Sequence, residues 1–223
     1  MFRTAIFDLD GTLLDTLDDL TSAVNASLKA FSLPCRTREE VCSFVGDGIA
    51  CLIQRAIGEN NADFEGVLSK FKSYYGKHCK DKTKPYKGVI ELLRALKARG
   101  VQTAILSNKA DFAVQTLAKK YFGNLIDVAQ GENEAEGVIK KPDAGGVHAV
   151  MKKLDARAEE TVYIGDSDVD IKTAENAKIA CIAVTWGFRD REFLQKRGAD
   201  SRRSQTSSSN LFVAKRILNS FCN

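Results

Sequence analysis

Apolar positions first gather in Phe2-Arg3-Thr4-Ala5-Ile6-Phe7, a run rich in aromatic and branched residues that predicts a short buried strand. The spacing then turns helical: Leu17, Leu20, Val24, Leu28 and Phe31 share a face until Leu33-Pro34 ends the pattern. Between 37 and 80 come further amphipathic stretches (Val41, Phe44, Val45; Ile49, Leu52, Ile53, Ala56; Phe64, Val67, Leu68, Phe71), broken at Gly46-Asp47-Gly48 and at 58–61, with no strand pattern. From Pro85 the rhythm alternates. It predicts helix 88–99, strand 101–106, helix 111–122, strand 125–129, helix 143–154, strand 161–164, helix 167–177 and strand 179–185, with Gly100 and Gly123 closing the first two helices.

Alternation of this kind predicts an α/β fold, a Rossmann-like parallel sheet with helices on both faces. The first strand joins that sheet. Residues 1–15 and 84–200 therefore form the core, and 16–83 an inserted small helical cap domain reached through two connections that act as hinges over the sheet rim. Residues 201–223 make a polar, basic tail. Its stretch Ser201-Arg202-Arg203-Ser204-Gln205-Thr206-Ser207-Ser208-Ser209-Asn210 is structureless by composition. Beyond it, Leu211, Ala214, Leu218 and Phe221 share a helical face expected to pack on the core or fray, in preference to lying on a membrane.

A chain of 223 residues that is 44% hydrophobic can bury a full core. Its 33 basic and 29 acidic residues, a net charge of +4, are intermixed, so no basic stripe points to nucleic acid, while small anions suit the balance. The cysteines (35, 42, 51, 79, 181, 222) form no C-x-x-C pair, which predicts reduced thiols and a cytoplasmic location. The start lacks a signal-peptide pattern, and no run reaches ~18 apolar residues, so neither secretion nor a membrane span is expected. His78 and His148 stand apart, each in a helical stretch, which argues against a Ser-His-Asp triad or a histidine-built zinc site. The carboxylates must carry the chemistry.

Asp8 and Asp10 sit where the first strand ends, beside Gly11, which can fold the chain back, and Thr12, which adds a hydroxyl. An acid held at the rim of a parallel sheet suits nucleophilic attack, with its neighbour moving protons. A calcium loop also likes D-x-D-G, but the third oxygen ligand and the closing glutamate are missing here. Ser107-Asn108-Lys109 ends the strand at 101–106 and offers a hydroxyl and N–H groups at the mouth of a helix. Lys141-Pro142 precedes another helix, with Pro142 in its first turn. Asp166 and Asp170 lie one helical turn apart after the strand at 161–164. A parallel sheet gathers Asp8, Asp10, Ser107, Lys141, Asp166 and Asp170 at one rim, where four carboxylates need a hard divalent cation, and oxygen ligands alone select magnesium.

Together these clusters resemble the haloacid dehalogenase superfamily over residues 1–200. The family's four motifs appear in order as Asp8-Leu9-Asp10-Gly11-Thr12, Ser107, Lys141, and Gly165-Asp166 with Asp170, and the insert corresponds to the helical cap of its first subclass. Within the family the chain is similar to bacterial phosphoglycolate phosphatases at Asp19-Leu20, Ala23, Asn25, Leu28, Val45-Gly46-Asp47-Gly48, Ser107-Asn108-Lys109 and Thr185-Trp186-Gly187-Phe188-Arg189. Related sugar-phosphate mutases have a histidine where Leu20 stands, and dehalogenases lack the acid at Asp10. After Gly198-Ala199-Asp200 this chain departs from the family's apolar strand, which implies an altered sheet edge.

The resemblance implies magnesium-dependent hydrolysis of a small phosphorylated metabolite, 2-phosphoglycolate foremost, by a monomer or weak homodimer. Asp8 is then the nucleophile and Asp10 the general acid and base. Magnesium lies on Asp8, Asp166 and the Asp10 carbonyl, with Asp170 steadying Lys141. Thr12, Ser107, Asn108 and Lys141 meet the phosphate, and the loop Gly46, Asp47, Gly48 reaches the substrate's other end. Pyrophosphate or another phosphate ester, phosphotransfer to a sugar, and phospho-ligand binding without turnover are the alternatives.

Overall fold

The first apolar run forms β1 (Thr4–Phe7), buried along its whole length, in a computed structural model that describes residues 1–60, 62–133 and 140–196 together with Ile217 and Phe221. Beyond β1 the chain turns into β2 (Leu14–Asp15), which pairs antiparallel with β3 (Lys84–Pro85). Between these two short strands lie α1 (Leu17–Ala30), α2 (Arg38–Phe44), α3 (Ile49–Ile57) and α4 (Phe64–His78). Their starts follow local chemistry. Thr37 and Glu40 form a reciprocal cap on α2, and the Asp63 carboxylate accepts from Gly66 N at the start of α4. The return connection is pinned by buried Asp19 on α1, which accepts from Lys82 N, Thr83 N and the Thr83 hydroxyl.

Chain alternation then builds α5 (Val89–Ala98), β4 (Gln102–Ala110), α6 (Asp111–Tyr121), β5 (Val128–Glu132), α7 (Gly145–Leu154), β6 (Thr161–Gly165), α8 (Asp168–Asn176), β7 (Ala180–Ala183) and α9 (Arg191–Lys196). The five long strands pair in parallel in the order β5-β4-β1-β6-β7. Period-two alternation along β1 assigns the faces: Ala5 and Phe7 join one core with α5 and α6, and Ile6 joins the other with α7 and α8. Phe7 lies opposite both Ile105 and Ile164, so the residues after each strand emerge together at one rim. The sheet grows from β1 in both directions, which makes that rim the switch point where open α/β sheets bind ligands.

Three local expectations shift. β4 does not stop at residue 106; pairing of Ala110 with Glu132 across an irregular register keeps Ser107-Asn108-Lys109 in the strand, so they do not open a helix. A 3-10 turn at Gly123–Leu125 delays β5 to Val128. α7 starts at Gly145, which leaves Pro142 in the turn before it. The expected residues 198–200, Leu211, Ala214, Leu218 and Cys222 fall outside the described residues, whereas Ile217 and Phe221 are buried in the main core, the Phe221 ring 5.9 Å edge-on from that of Phe2. Cys35, Cys42, Cys51, Cys79 and Cys181 are free thiols, and no helix among the described residues is long and apolar enough to cross a membrane.

Candidate active site

The end of β1 delivers Asp8 to the floor of a cleft of about 610 Å³, counted to its open mouth, between the sheet rim and the helices of the insert. Strand ends are rigid because the ladder fixes them; Asp8 N donates to Ile164 O at 2.9 Å. The Asp8 side chain is different. Its Oδ1 is buried and has no hydrogen-bond donor, although the Lys141 ammonium lies 2.9 Å away, off the hydrogen-bonding direction. The same ammonium donates to Asp170 Oδ1 at 2.7 Å, so Lys141 bridges two acids that lie 162 positions apart (170 − 8).

Asp170 has its other oxygen engaged too. Oδ2 accepts from Ser167 N and Ser167 Oγ at 3.0 and 2.6 Å, closing a reciprocal cap at the start of α8. Asp166, one residue past β6, accepts from the Thr12 hydroxyl at 3.1 Å and from Phe188 N at 2.7 Å. Carboxylate oxygens of Asp8, Asp166 and Asp170 lie within 4.8 Å of one another. The backbone comes just as close: Gly11 has φ +84, and a Cβ there or at Gly187 would overlap the Asp166 carboxylate.

Crowding and burial show in the protonation equilibria. Burial, helped by the carboxylates of Asp170 and Asp10, pushes Asp8 up to about 6 even though Lys141 pulls the other way. Asp166 is pushed up to about 8, first by burial and then by Asp170 and Asp8. Burial works against the charge on Lys141, but Asp170 and Asp8 outweigh it and hold the lysine protonated. Two acids disfavoured as anions, an oxygen without a donor and oxygen-only donors together match a hard divalent cation. Asp170 is already paired with the Lys141 ammonium, whereas Asp166 accepts only from the neutral donors Thr12 Oγ1 and Phe188 N, so Asp8 and Asp166 are the better-suited pair to hold it.

Asp10 stands apart from that cluster. Its oxygens are gripped by the Lys109 ammonium at 2.9 Å each, and Oδ1 also accepts from the Thr16 hydroxyl at 2.7 Å. Lys109 is 4% exposed and lies 4.7 Å from the centre of the Tyr75 ring on α4. Burial opposes its charge, but Asp10 and then Tyr75 raise its pKa overall. The insert thus reaches Asp10 directly through the Thr16 hydroxyl, and through Tyr75 by way of Lys109.

The rim gathers Asp8, Asp10, Ser107, Asn108, Lys141 and Asp166 on the cleft, and the insert adds Gly46 and Gly48 with Leu20, Val45, Ile49 and Leu52. Two expected contacts turn away from it. Thr12 is 1% exposed and spends its hydroxyl on Asp166, and Asp47 pairs with Arg55 of α3 at 2.6 Å, which leaves only the flanking glycines on the cleft. The Asn108 side chain ties loops together, donating to Gly46 O and Lys141 O and accepting from Lys141 N. Lys109, Phe188 and Arg189 line the cleft without having been given a role from sequence, although Lys109 directly follows Ser107-Asn108. His148 is exposed and His78 is half-buried, paired with Asp81 at 2.8 Å.

Residues 5–184 match the family described as haloacid dehalogenase-like hydrolase. The chain is 33% identical over 196 residues to the phosphoglycolate phosphatase of Agrobacterium fabrum, covering 83% of this chain and 82% of that one. It is 34% identical over 209 residues to the phosphoglycolate phosphatase of Chromobacterium violaceum, covering 89% and 90%. A solved structure from Lactobacillus delbrueckii subsp. bulgaricus, provisionally described as a phosphoglycolate phosphatase, superposes with a TM-score of 0.86 at 33% identity over 98% of both chains. By this match and this degree of identity the chain belongs to the haloacid dehalogenase-like hydrolases, where it resembles the phosphoglycolate phosphatases.

Proposed function

We propose that this hydrolase cleaves small phosphate monoesters through an aspartyl-phosphate on Asp8, with 2-phosphoglycolate as the favoured substrate. The observation that carries the reading is the state of Asp8: fixed at a strand end, facing the cleft, with its Oδ1 unclaimed by any hydrogen-bond donor and 2.9 Å from a buried ammonium. A carboxylate oxygen not committed to a hydrogen-bond donor is free to act as a nucleophile. Its attack on phosphorus forms the acyl-phosphate bond and breaks the bond to the ester oxygen, and Asp10 gives its proton to the departing alkoxide. In the second half Asp10 takes a proton from water, whose oxygen attacks the same phosphorus, freeing Asp8 and inorganic phosphate.

Ser107 Oγ, the Asn108 backbone N–H and Lys141 Nζ meet the phosphoryl oxygens and balance charge that grows on them. Asp8, Asp166 and the Asp10 carbonyl would hold magnesium, which would supply further positive charge beside the phosphoryl group. Asp170 keeps Lys141 aimed at Asp8 through its 2.7 Å bond. Residues 16–83 act as a cap that moves on the connections at β2 and β3 and shields the acyl-phosphate from bulk water.

The test is a panel of phosphate esters assayed with magnesium and with a chelator. Phosphate release that needs the cation, prefers 2-phosphoglycolate and falls by at least about 10⁴-fold in Asp8→Asn is the expected result. Unchanged turnover in Asp8→Asn would remove the nucleophile.

A further inference from the structure

The segment Trp186–Arg189 takes no part in the phosphoryl chemistry, yet it fastens the two walls of the cleft to each other. Trp186 Nε1 donates to Thr12 O at 3.0 Å, and Phe188 N donates to Asp166, so one end is tied to the acid cluster. The other end is tied to α2 and the loop after it: Arg189 Nη1 donates to Cys42 O at 3.1 Å, Nη2 to Val45 O at 3.0 Å, and Cys42 Sγ lies 3.7 Å from Phe188 O. Arg189 itself lines the cleft, half-buried.

Three cationic side chains line that cleft, Lys109, Lys141 and Arg189. Two are neutralised in place: Lys141 lies between Asp8 and Asp170, and Lys109 grips both oxygens of Asp10. Arg189 meets carbonyl oxygens and, at 5.7 Å, the Phe193 ring, and has no carboxylate partner among the described residues. Carbonyls satisfy N–H donors but cancel no charge. A guanidinium carries five N–H donors, and two are engaged here, which leaves three. A planar cation with donors to spare on a partly desolvated wall is matched by a carboxylate, which it can hold through two parallel bonds.

We infer that Arg189 binds a carboxylate on the far side of the substrate from the phosphoryl group, and so selects small phosphate monoesters that bear a carboxylate close to the ester oxygen. This rests on the phosphatase reading above and names the residue that would give it a substrate class. Because Arg189 also holds Cys42 O and Val45 O, a carboxylate on it would join the sheet rim to the insert, so substrates without one would leave the two walls less firmly closed.

The magnesium-loaded protein and its Arg189→Met and Arg189→Lys variants are to be assayed on 2-phosphoglycolate and on ethyl phosphate, which has the same ester chain length but no carboxylate. The ratio of kcat/KM for the two esters is expected to fall about 10- to 100-fold in Arg189→Met and to recover in part in Arg189→Lys. A ratio equal to wild type, with both esters slowed alike, would make the residue a strap alone and overturn the inference. Binding of the two esters to Asp8→Asn, with and without Arg189→Met, decides the matter without turnover. Preference for 2-phosphoglycolate must disappear with the guanidinium, and its persistence overturns the assignment. A wild-type protein that binds 2-phosphoglycolate through Arg189 but releases no phosphate would defeat the phosphatase reading and leave this one standing.

Discussion

The two walls of the cleft are built on opposite principles. On the sheet side most charged groups are held in place by named partners: Lys141 by Asp8 and Asp170, Asp10 by Lys109 and Thr16, Asp166 by Thr12 and Phe188 N. Across from it, Val45, Gly46, Gly48, Ile49 and Leu52 offer apolar side chains and backbone, with no acid or lysine of the insert on the cleft. Fixed charges do chemistry only where they need not reorganise, and strand ends supply that rigidity. A wall of small and apolar groups supplies shape, which can change without disturbing the charges. The contrast predicts that damage to the sheet side costs rate and fold together, whereas damage to the insert side alters which ester is accepted.

The sharpest way to break that contrast is at Lys109, the sheet-side group that also touches the insert through Tyr75. Lys109→Met keeps the length of the side chain and removes the charge, leaving the Asp10 carboxylate, 12% exposed, without its cation. Stripping one partner from a buried pair costs about 3 kcal/mol, and misplacing a general acid costs about 100-fold in rate. Denaturant unfolding and kcat on 2-phosphoglycolate should both register the loss. A variant with wild-type stability and turnover would show that Asp10 needs no clamp.

How far the sequence alone reaches follows the same division. Asp8 and Asp166 are legible because each directly follows a buried strand, which places them at one rim whatever the packing, while Ser107 and Lys141 reach the same cleft from within β4 and from the turn ahead of α7. The pairing of Lys141 with Asp170 is also read from the sequence, but other partners are distant and not legible there: Lys109 meets Asp10 across 99 positions and Thr12 meets Asp166 across 154. Thr12 and Asp47 had suitable chemistry, but direction is decided by neighbours that periodicity does not name, Asp166 for one and Arg55 for the other. The extension of β4 through Lys109 had the same cause, since its pairing to Glu132 is a contact between strands. The helical nature of the insert was readable from its 3.6-residue pattern, while the way Gly46 is tied to Asn108 was not.

Acidity offers a second, smaller lever on the sheet side. Asp8 and Asp166 are pushed up to about 6 and about 8, above the ordinary value of 3.8. The folded chain therefore holds these protons more tightly than the unfolded chain does. Their contribution to stability is fully present below the unfolded value and is lost as pH rises through 6 and 8 in metal-free protein. A divalent cation favours the ionised acids and should restore what was lost. Melting curves in chelator should thus fall from pH 5 to 8 relative to those of Asp8→Asn, and the rise in melting temperature on adding magnesium should be larger at pH 8 than at pH 5. A magnesium effect of equal size at both pH values would separate the cation from these two acids.

The gentlest perturbation belongs to the insert. Ile49 opens α3, lines the cleft and is half-buried, so Ile49→Ala enlarges the site without emptying the core. A methylene group removed from an apolar pocket changes discrimination by about 10- to 200-fold, and at this half-buried, open wall the low end of that range is expected. The change should appear in KM and in the ranking of bulkier esters against 2-phosphoglycolate, because the attacking and protonating groups sit on the other wall and keep their partners. A fall in kcat with no change in KM would mean that this apolar residue governs the placement of Asp8 or Asp10, and the separation between a wall that reacts and a wall that selects would have to be given up.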